Sequence, residues 1–369
     1  MKKLVHTPDG VRDIYGEEEL RKLSVEATIK NVIYSYGYEA IQTPTFEYFD
    51  IFSQEIGTTP SKELYKFFDK EGDTLVLRSD FTPSIARCVS KYHSDTTEPI
   101  RLTYHGNTFV NASNLQGKLK EVTQIGVELM NDDTAYADAE MIHLVIESLK
   151  AAGLSKFQVS IGEMDYFKGL CENAGIDATT ELTLREFIST KNSIAALELI
   201  ESLSCADETK ELLNSTASLI GGIEVISNML SKVNNERSVN ALKRLIEVYD
   251  ILKIYGDCDY VSFDLGILSK YNYYTGVIFK AYTYGIGDAC VKGGRYNNLL
   301  EAFGNSKPAI GFCIVVDDLM MAMKTQKIDV AITEKPTDIL YNNANLADKI
   351  KEAEALRKQG KAVRLLLEK

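Results

Sequence analysis

Apolar and polar positions along this chain change period several times, and the changes mark its elements. Over residues 17–36, Leu20, Leu23, Val25, Ile29, Val32 and Ile33 fall along one broad helical face, and Gly37 ends the run. Residues 38–42 are strand-like and lead to Pro44, which has no amide hydrogen for a ladder and so suits a sheet edge or a chain exit. Residues 64–69 and 74–78 predict a hairpin turning at Lys70, Glu71, Gly72 and Asp73, and a helix follows over 82–92. Strands are expected at 100–105 and 122–129, with the polar stretch holding Asn107, Asn111, Asn114, Gly117, Lys118 and Lys120 as a long hairpin loop between them. Ala139, Ile142, Val145, Ile146 and Leu149 recur at helical spacing within 135–152, and 157–161 reads as a strand.

Between 164 and 253 the sequence favours helix, rich in Leu, Glu, Ala and Ser. Strand character returns at 261–265, 273–284 and 289–292, and Gly293, Gly294, Arg295 and Tyr296 are expected to open a short helix. Residues 309–314 predict a buried strand passing into a helix at 317–323, and 329–333, 346–359 and 362–367 predict strand, helix and strand. The organisation expected is a core over 1–163, a helical insertion over 164–256, the rest of the core over 257–325 and a small α/β piece over 326–369.

The chain has 369 residues, 45% of them hydrophobic and 25% charged, which is ordinary globular composition and not that of a disordered chain. With 41 Lys and Arg against 53 Asp and Glu, it lacks the broad basic surface that binding to a nucleic acid backbone requires. Cys88, Cys171, Cys205, Cys258, Cys290 and Cys313 form no CxxC pair, so reduced and mostly buried thiols are expected. The polar start and the lack of a long apolar run predict a cytoplasmic protein with no membrane contact.

No Walker loop, HExxH, GxSxG or GxGxxG occurs at a strand-to-helix turn. What stands out is a set of segments: Leu77 to Thr82, Gln124 to Glu128, Tyr273-Tyr274-Thr275-Gly276 and Gly293-Gly294-Arg295-Tyr296. Taken singly, each has an ordinary reading. Two tyrosines in a strand are usually core aromatics, a Gly-Gly pair is usually a bend or bulge, and Asp80 or Glu128 alone would be solvated or paired with Arg78 or Arg87. His6, His93, His105 and His143 have no metal-ligand spacing, and no metal or cofactor is expected.

Jointly, these segments resemble the core of class II histidyl-tRNA synthetases over nearly the whole chain, from Pro8-Asp9-Gly10 through a first motif ending at Pro44 to a third at Gly311. The resemblance implies an α+β fold, an antiparallel synthetase-like sheet flanked by helices. Arg101 to Glu128 matches the second-motif hairpin, and Tyr273-Tyr274 the histidine-specific tyrosine pair. The departures fall on the nucleotide side. Val110 follows Phe109 where the synthetases have the arginine that grips the α-phosphate, Ala112 and Ser113 replace a glutamate and an arginine, Asp318 stands at the third-motif arginine and Ser269 at the arginine that promotes adenylation. One arginine on a transferring phosphoryl group is worth about 10³ to 10⁵ in rate, and a lysine such as Lys118, Lys120 or Lys270 does not reproduce its planar grip.

The amino acid side is kept. By resemblance Asp80 and Thr82 would hold an α-amino group with Gln124 nearby, Glu128 and Tyr274 would bracket an imidazole, and Tyr273 would pack beside them. A synthetase-like chain with this pocket but without the nucleotide arginines is similar to the regulatory subunits of ATP phosphoribosyltransferase. That resemblance implies a non-catalytic protein. It would form a homodimer through the region 17–44 and assemble with the short catalytic subunit into a hetero-octamer, with histidine as inhibitory effector and no tRNA bound. A divergent histidyl-tRNA synthetase and a stand-alone histidine sensor are the other readings open at this point.

Overall fold

The computed structural model describes residues 5–52, 59–112, 118–269, 274–332 and 336–368, which group into two compact units: one from 1–13 and 26–328, the other from 14–25 and 329–369. The chain starts with α1 (Glu17–Ser35), whose first half belongs to the second unit, then β1 (Glu39–Ala40), β2 (Phe46–Tyr48), β3 (Lys66–Phe68), β4 (Thr74–Leu77) and α2 (Thr82–Tyr92). Next come β5 (Ile100–Phe109), β6 (Glu121–Met130), α3 (Ala135–Ala151) and β7 (Phe157–Glu163). A mostly helical stretch follows: α4 (Met164–Asn173), α5 (Ala178–Ser189), α6 (Ser193–Glu201), α7 (Asp207–Thr216), the short β8 (Ile220–Gly221), α8 (Ile223–Leu230) and α9 (Glu236–Tyr255). The larger unit ends with β9 (Val261–Asp264), β10 (Val277–Thr283), β11 (Val291–Arg295), β12 (Ala309–Val315) and α10 (Val316–Thr325).

Its frame is a nine-stranded sheet in the order β1-β5-β6-β12-β11-β10-β7-β9-β8, antiparallel from β5 through β7. Strands alternate faces, so the register fixes which side chains share a surface. One face carries Ile125, Val127, Leu129, Ile310, Phe312 and Phe279, all buried, with α3 packed against strands β10 to β12. Thr134 starts α3 by accepting from the amide of Ala137 at 3.2 Å. Beside this face Asp138 is buried between Arg295 (2.7 Å) and Arg244 (2.7 Å). The other face is covered toward β5 by α2, where Phe81, Ile85 and Val89 meet Leu102, Tyr104 and Met130. A separate three-stranded sheet, β2-β4-β3, stands apart in the same unit.

Three expectations change. The polar stretch after residue 105 continues the ladder to Phe109 and resumes at Glu121, because its polar side chains bond across the strands: Asn107 donates to Glu121 at 2.7 Å and Thr123 donates to Asn107 at 2.9 Å. Gly293, Gly294 and Arg295 finish β11 and open no helix; the glycines admit the rings of Phe279 and Tyr274, and Arg295 is held by Asp138. A single-turn helix comes later, at Leu299–Phe303. In the second unit the first strand is β13 (Thr337–Tyr341), beyond Pro336, and residues 329–332 are in no strand; Thr333 lies outside the described residues. β13 pairs in parallel with β14 (Val363–Leu367), and α11 (Leu346–Arg357) between them closes a core of Ile339, Ala353 and Val363.

All six cysteines are free; Cys171 and Cys290 are buried and the other four half-buried. Among the described residues no helix is long and apolar enough to cross a membrane.

Candidate functional site

The pocket floor is one cross-strand row. Leu102, Glu128, Gly311, Gly294 and Ile278 are direct neighbours on β5, β6, β12, β11 and β10 and point to the α2 side of the sheet. Two of the five have no side chain, and that absence makes the room. A Cβ on Gly311 would overlap the Glu128 carboxylate, and one on Gly294 would come within 2.7 Å of the Tyr274 ring. Two residues along β6, Gly126 leaves space for Tyr104 to lie across the strand, stacked on Phe81 with centroids 4.3 Å apart.

Glu128 is 1% exposed and is held from two sides. The Thr82 hydroxyl, in the first turn of α2, donates to Oε1 at 2.6 Å, and the Tyr296 hydroxyl donates to Oε2. Burial pushes its pKa up to about 8 against the opposing pull of those two bonds, and the nearby Asp80 charge adds to the rise. Asp80 precedes α2, and its Oδ1 accepts from the amides of Phe81 (2.7 Å) and Thr82 (3.3 Å). Burial also raises the Tyr274 hydroxyl well above its ordinary value, followed by the Cys313 thiol and the charges of Asp80 and Glu128. Cys313 lies on the same face, its thiol pushed up to about 12 by burial. Gln124, four residues before Glu128 on that face, has a buried Oε1 with no hydrogen-bond partner among the described residues.

The structure therefore gathers Asp80, Thr82, Glu128 and Tyr274 at one place and puts Gln124 on the same floor; Tyr273 lies outside the described residues. Thr82 spends its proton on Glu128, which leaves its oxygen lone pairs to accept from an ammonium group. Arg78 donates to the carbonyls of Thr43 and Asn107, at 3.0 and 2.8 Å, and Arg87 pairs with Glu47. Tyr296 went unassigned in the sequence reading; its signal was the Gly293-Gly294-Arg295-Tyr296 segment itself, whose alternation in a strand would have placed it near Glu128.

The positions expected on the nucleotide side are placed as follows. Val110 follows β5 at the loop end of the hairpin, its amide donating to the Lys120 carbonyl at 2.9 Å. Asp318 sits in the first turn of α10, its pKa raised by burial against the pull of Lys292. The Ser269 amide faces the Met164 sulfur at 3.4 Å. Elsewhere, His143, Glu147 and Asp257 bring ligand atoms within 4.8 Å of one another, a grouping that sequence spacing did not reveal. Both ring nitrogens of His143 are engaged, with Tyr36 at 2.7 Å and Asp257 at 2.6 Å, and Lys150 supplies the cation, 3.1 Å from Glu147 and 3.4 Å from Asp257.

Comparison with known proteins gives the family of the chain. The chain is 39% identical over 97% of its length to the ATP phosphoribosyltransferase regulatory subunit of Acetivibrio thermocellus, covering 86% of that protein, and 36% identical over 96% to that of Clostridium kluyveri, covering 91%. The chain belongs to the ATP phosphoribosyltransferase regulatory subunit family. A regulatory subunit/histidyl-tRNA synthetase from Bacillus halodurans superposes with a TM-score of 0.89 at 34% identity, over 99% of this chain and 93% of that one. The histidyl-tRNA synthetase family model matches residues 10–319, and the histidyl-tRNA synthetase of Nostoc sp. PCC 7120, at 20% identity and a TM-score of 0.83, shares the fold. The regulatory subunit family thus has a class II synthetase-like fold, and this chain has it with the pocket floor described above.

Proposed function

We propose that this protein is the regulatory subunit that assembles with a short catalytic subunit of ATP phosphoribosyltransferase, activates it and lets histidine inhibit it, while catalysing nothing itself. What supports the reading is family membership together with a buried polar cluster: Glu128, bonded by Thr82 and Tyr296, with Asp80 and Tyr274 beside it and Gln124 on the same strand face. A pocket lined by hydrogen-bonding groups rejects ligands without matching polar atoms, because its own groups would be left unpaired. Histidine suits it. Its α-ammonium would meet Asp80, the Thr82 oxygen and Gln124, and its imidazole Glu128 and Tyr274, with Tyr273 beside them.

Catalysis belongs to the partner in this reading. Val110, Ser269 and Asp318 give the nucleotide no arginine, and the Asp318 carboxylate would repel a phosphate. Two copies pair through α1 and β1 up to Pro44, where α1 exposes Leu23 and Tyr34, and catalytic subunits dock around that homodimer to form a hetero-octamer. No tRNA is bound. Histidine regulates by favouring one quaternary arrangement, since a ligand with equal affinity for both would shift nothing, and a coupling of about 1–3 kcal/mol gives a useful feedback range.

Two assays on the isolated protein test the site. Calorimetric titration is expected to register histidine binding that Glu128→Gln weakens, and ATP–pyrophosphate exchange with histidine is expected to stay at background. Exchange above background would make the chain an adenylating enzyme and overturn the reading.

A further inference from the structure

Two residues along each strand from the Glu128 row, the same face of the sheet carries a second cross-strand row: Gly126, Cys313, Lys292, Lys280, Ser160 and Ser262 on β6, β12, β11, β10, β7 and β9. The side chains from Cys313 to Ser262 are all half-buried, whereas the opposite face of these strands is closed by buried residues such as Ile314, Val291, Phe279 and Phe263. The row is a shallow polar trough beside the pocket floor.

Lys280 and Lys292 stand directly opposite each other in this trough. Like charges at facing positions of a sheet repel. Lys292 has the Asp288 carboxylate at 2.8 Å, while Lys280 makes no hydrogen bond or close ion pair among the described residues. Burial lowers the Lys280 pKa and the Lys292 charge lowers it further, against the pull of Asp288 and Asp264. The arginines near the floor are engaged elsewhere: Arg78 on backbone carbonyls, Arg87 on Glu47, and Arg295 on Asp138 across the sheet. After burial, the charges that shift the Cys313 thiol are those of Asp80, Lys292 and Glu128, so trough and pocket act on one group.

In the histidine reading above, the imidazole lies at Glu128 and the ammonium group toward Gln124, four residues back along β6. The amino acid then runs along that strand. Two strand residues cover about 7 Å, close to the span of histidine from ring to carboxylate, so the carboxylate falls on the intervening row. Beside Asp80 and Glu128 it would meet only negative groups unless the trough supplies a cation.

We propose that Lys280 and Lys292 form the seat for the α-carboxylate of the amino acid bound over Glu128. The inference rests on the histidine reading and deepens it by naming the groups that recognise the acid end of the ligand. An anion between the two ammonium groups relieves their mutual repulsion and gains charge-assisted hydrogen bonds. Lys280 contributes without giving up a partner, and Lys292 shares its charge with Asp288. The seat selects amino acids with a free carboxylate over analogues in which that group is an alcohol.

The test compares histidine with histidinol, whose carboxylate is replaced by a hydroxymethyl group, by calorimetry on the full chain. The wild-type protein is expected to bind histidine at least about tenfold more tightly. In a variant carrying Lys280→Met and Lys292→Met, histidine affinity is expected to fall about tenfold and histidinol affinity to stay within about twofold, so the preference collapses. Lys280→Arg is expected to keep most of it, and Glu128→Gln to weaken both ligands together. If the double variant does not fold, Lys280→Gln alone is expected to reduce the preference at least about threefold. Folded lysine variants with the wild-type preference, or a wild-type protein that binds both ligands equally, would overturn the inference and leave the pocket reading standing. A wild-type protein that takes up neither ligand would overturn the pocket reading, and the inference with it.

Discussion

Glu128 on β6 and Gly311 on β12 are direct cross-strand partners, and the carboxylate of the first occupies the space a side chain on the second would need. The pocket depends on that missing methyl group. Gly311→Ala should push Glu128 away from Thr82 and Tyr296 and crowd the floor, costing about 1–3 kcal/mol of stability as overpacked sites do. Histidine affinity should fall at least about tenfold, and denaturant unfolding with calorimetry checks both. Wild-type affinity in this variant would mean that the ligand does not sit against Glu128.

The charge of Glu128 gives a stability signature with a definite sign. Burial raises its pKa from 4.5 to about 8, so the folded chain keeps a proton that the unfolded chain gives up. The group's contribution is therefore fully present below about pH 4.5 and is lost as pH rises through about 8. Glu163, raised likewise to about 8 by burial, adds a second such decline. Glu128→Gln removes only the first. Its melting temperature should fall less than that of the wild-type protein between pH 5 and pH 8, and parallel curves would contradict the assignment.

Tyr296 gives Glu128 one of its two hydroxyl bonds, and a typical intramolecular hydrogen bond contributes roughly 0.5–1.5 kcal/mol. Tyr296→Phe should weaken histidine binding by about tenfold and move the pH-dependent loss of stability to higher pH, because the bond it removes was holding the carboxyl pKa down. Calorimetry and thermal melts across pH separate the two effects. Unchanged affinity would show that the tyrosine only fills space.

Much of this site could be read from segments before any geometry was known. Asp80, Thr82, Glu128 and Tyr274 lie in three distant stretches that the resemblance to the synthetase motifs groups together, and the structure brings them near one another; periodicity alone does not. Tyr296 was missed for a local reason. Gly293-Gly294 looks like a strand terminator by propensity, yet the pair stays in β11 because the Phe279 and Tyr274 rings occupy the space of its missing side chains. The hairpin is longer than expected for a related reason: Asn107 is a weak strand former, and its bonds to Glu121 and Thr123 across the ladder hold it in β5. The Arg185 to Ser269 contact, 84 residues apart in sequence, and the grouping of His143 with Asp257 leave no pattern in spacing at all. In the second unit the strand follows Pro336, whose side the alternation of 329–333 had wrongly anticipated.

The central claim is that the chain acts through a catalytic partner and reports histidine to it. The most direct measurement mixes the purified protein with the short ATP phosphoribosyltransferase subunit of the same organism and follows phosphoribosyl-ATP formation from ATP and phosphoribosyl pyrophosphate, with and without histidine. The account predicts strong activity only in the mixture, suppressed by histidine in the wild-type complex and far less in a complex carrying Glu128→Gln. A mixture no more active than the catalytic subunit alone, or one that histidine leaves untouched, would contradict it.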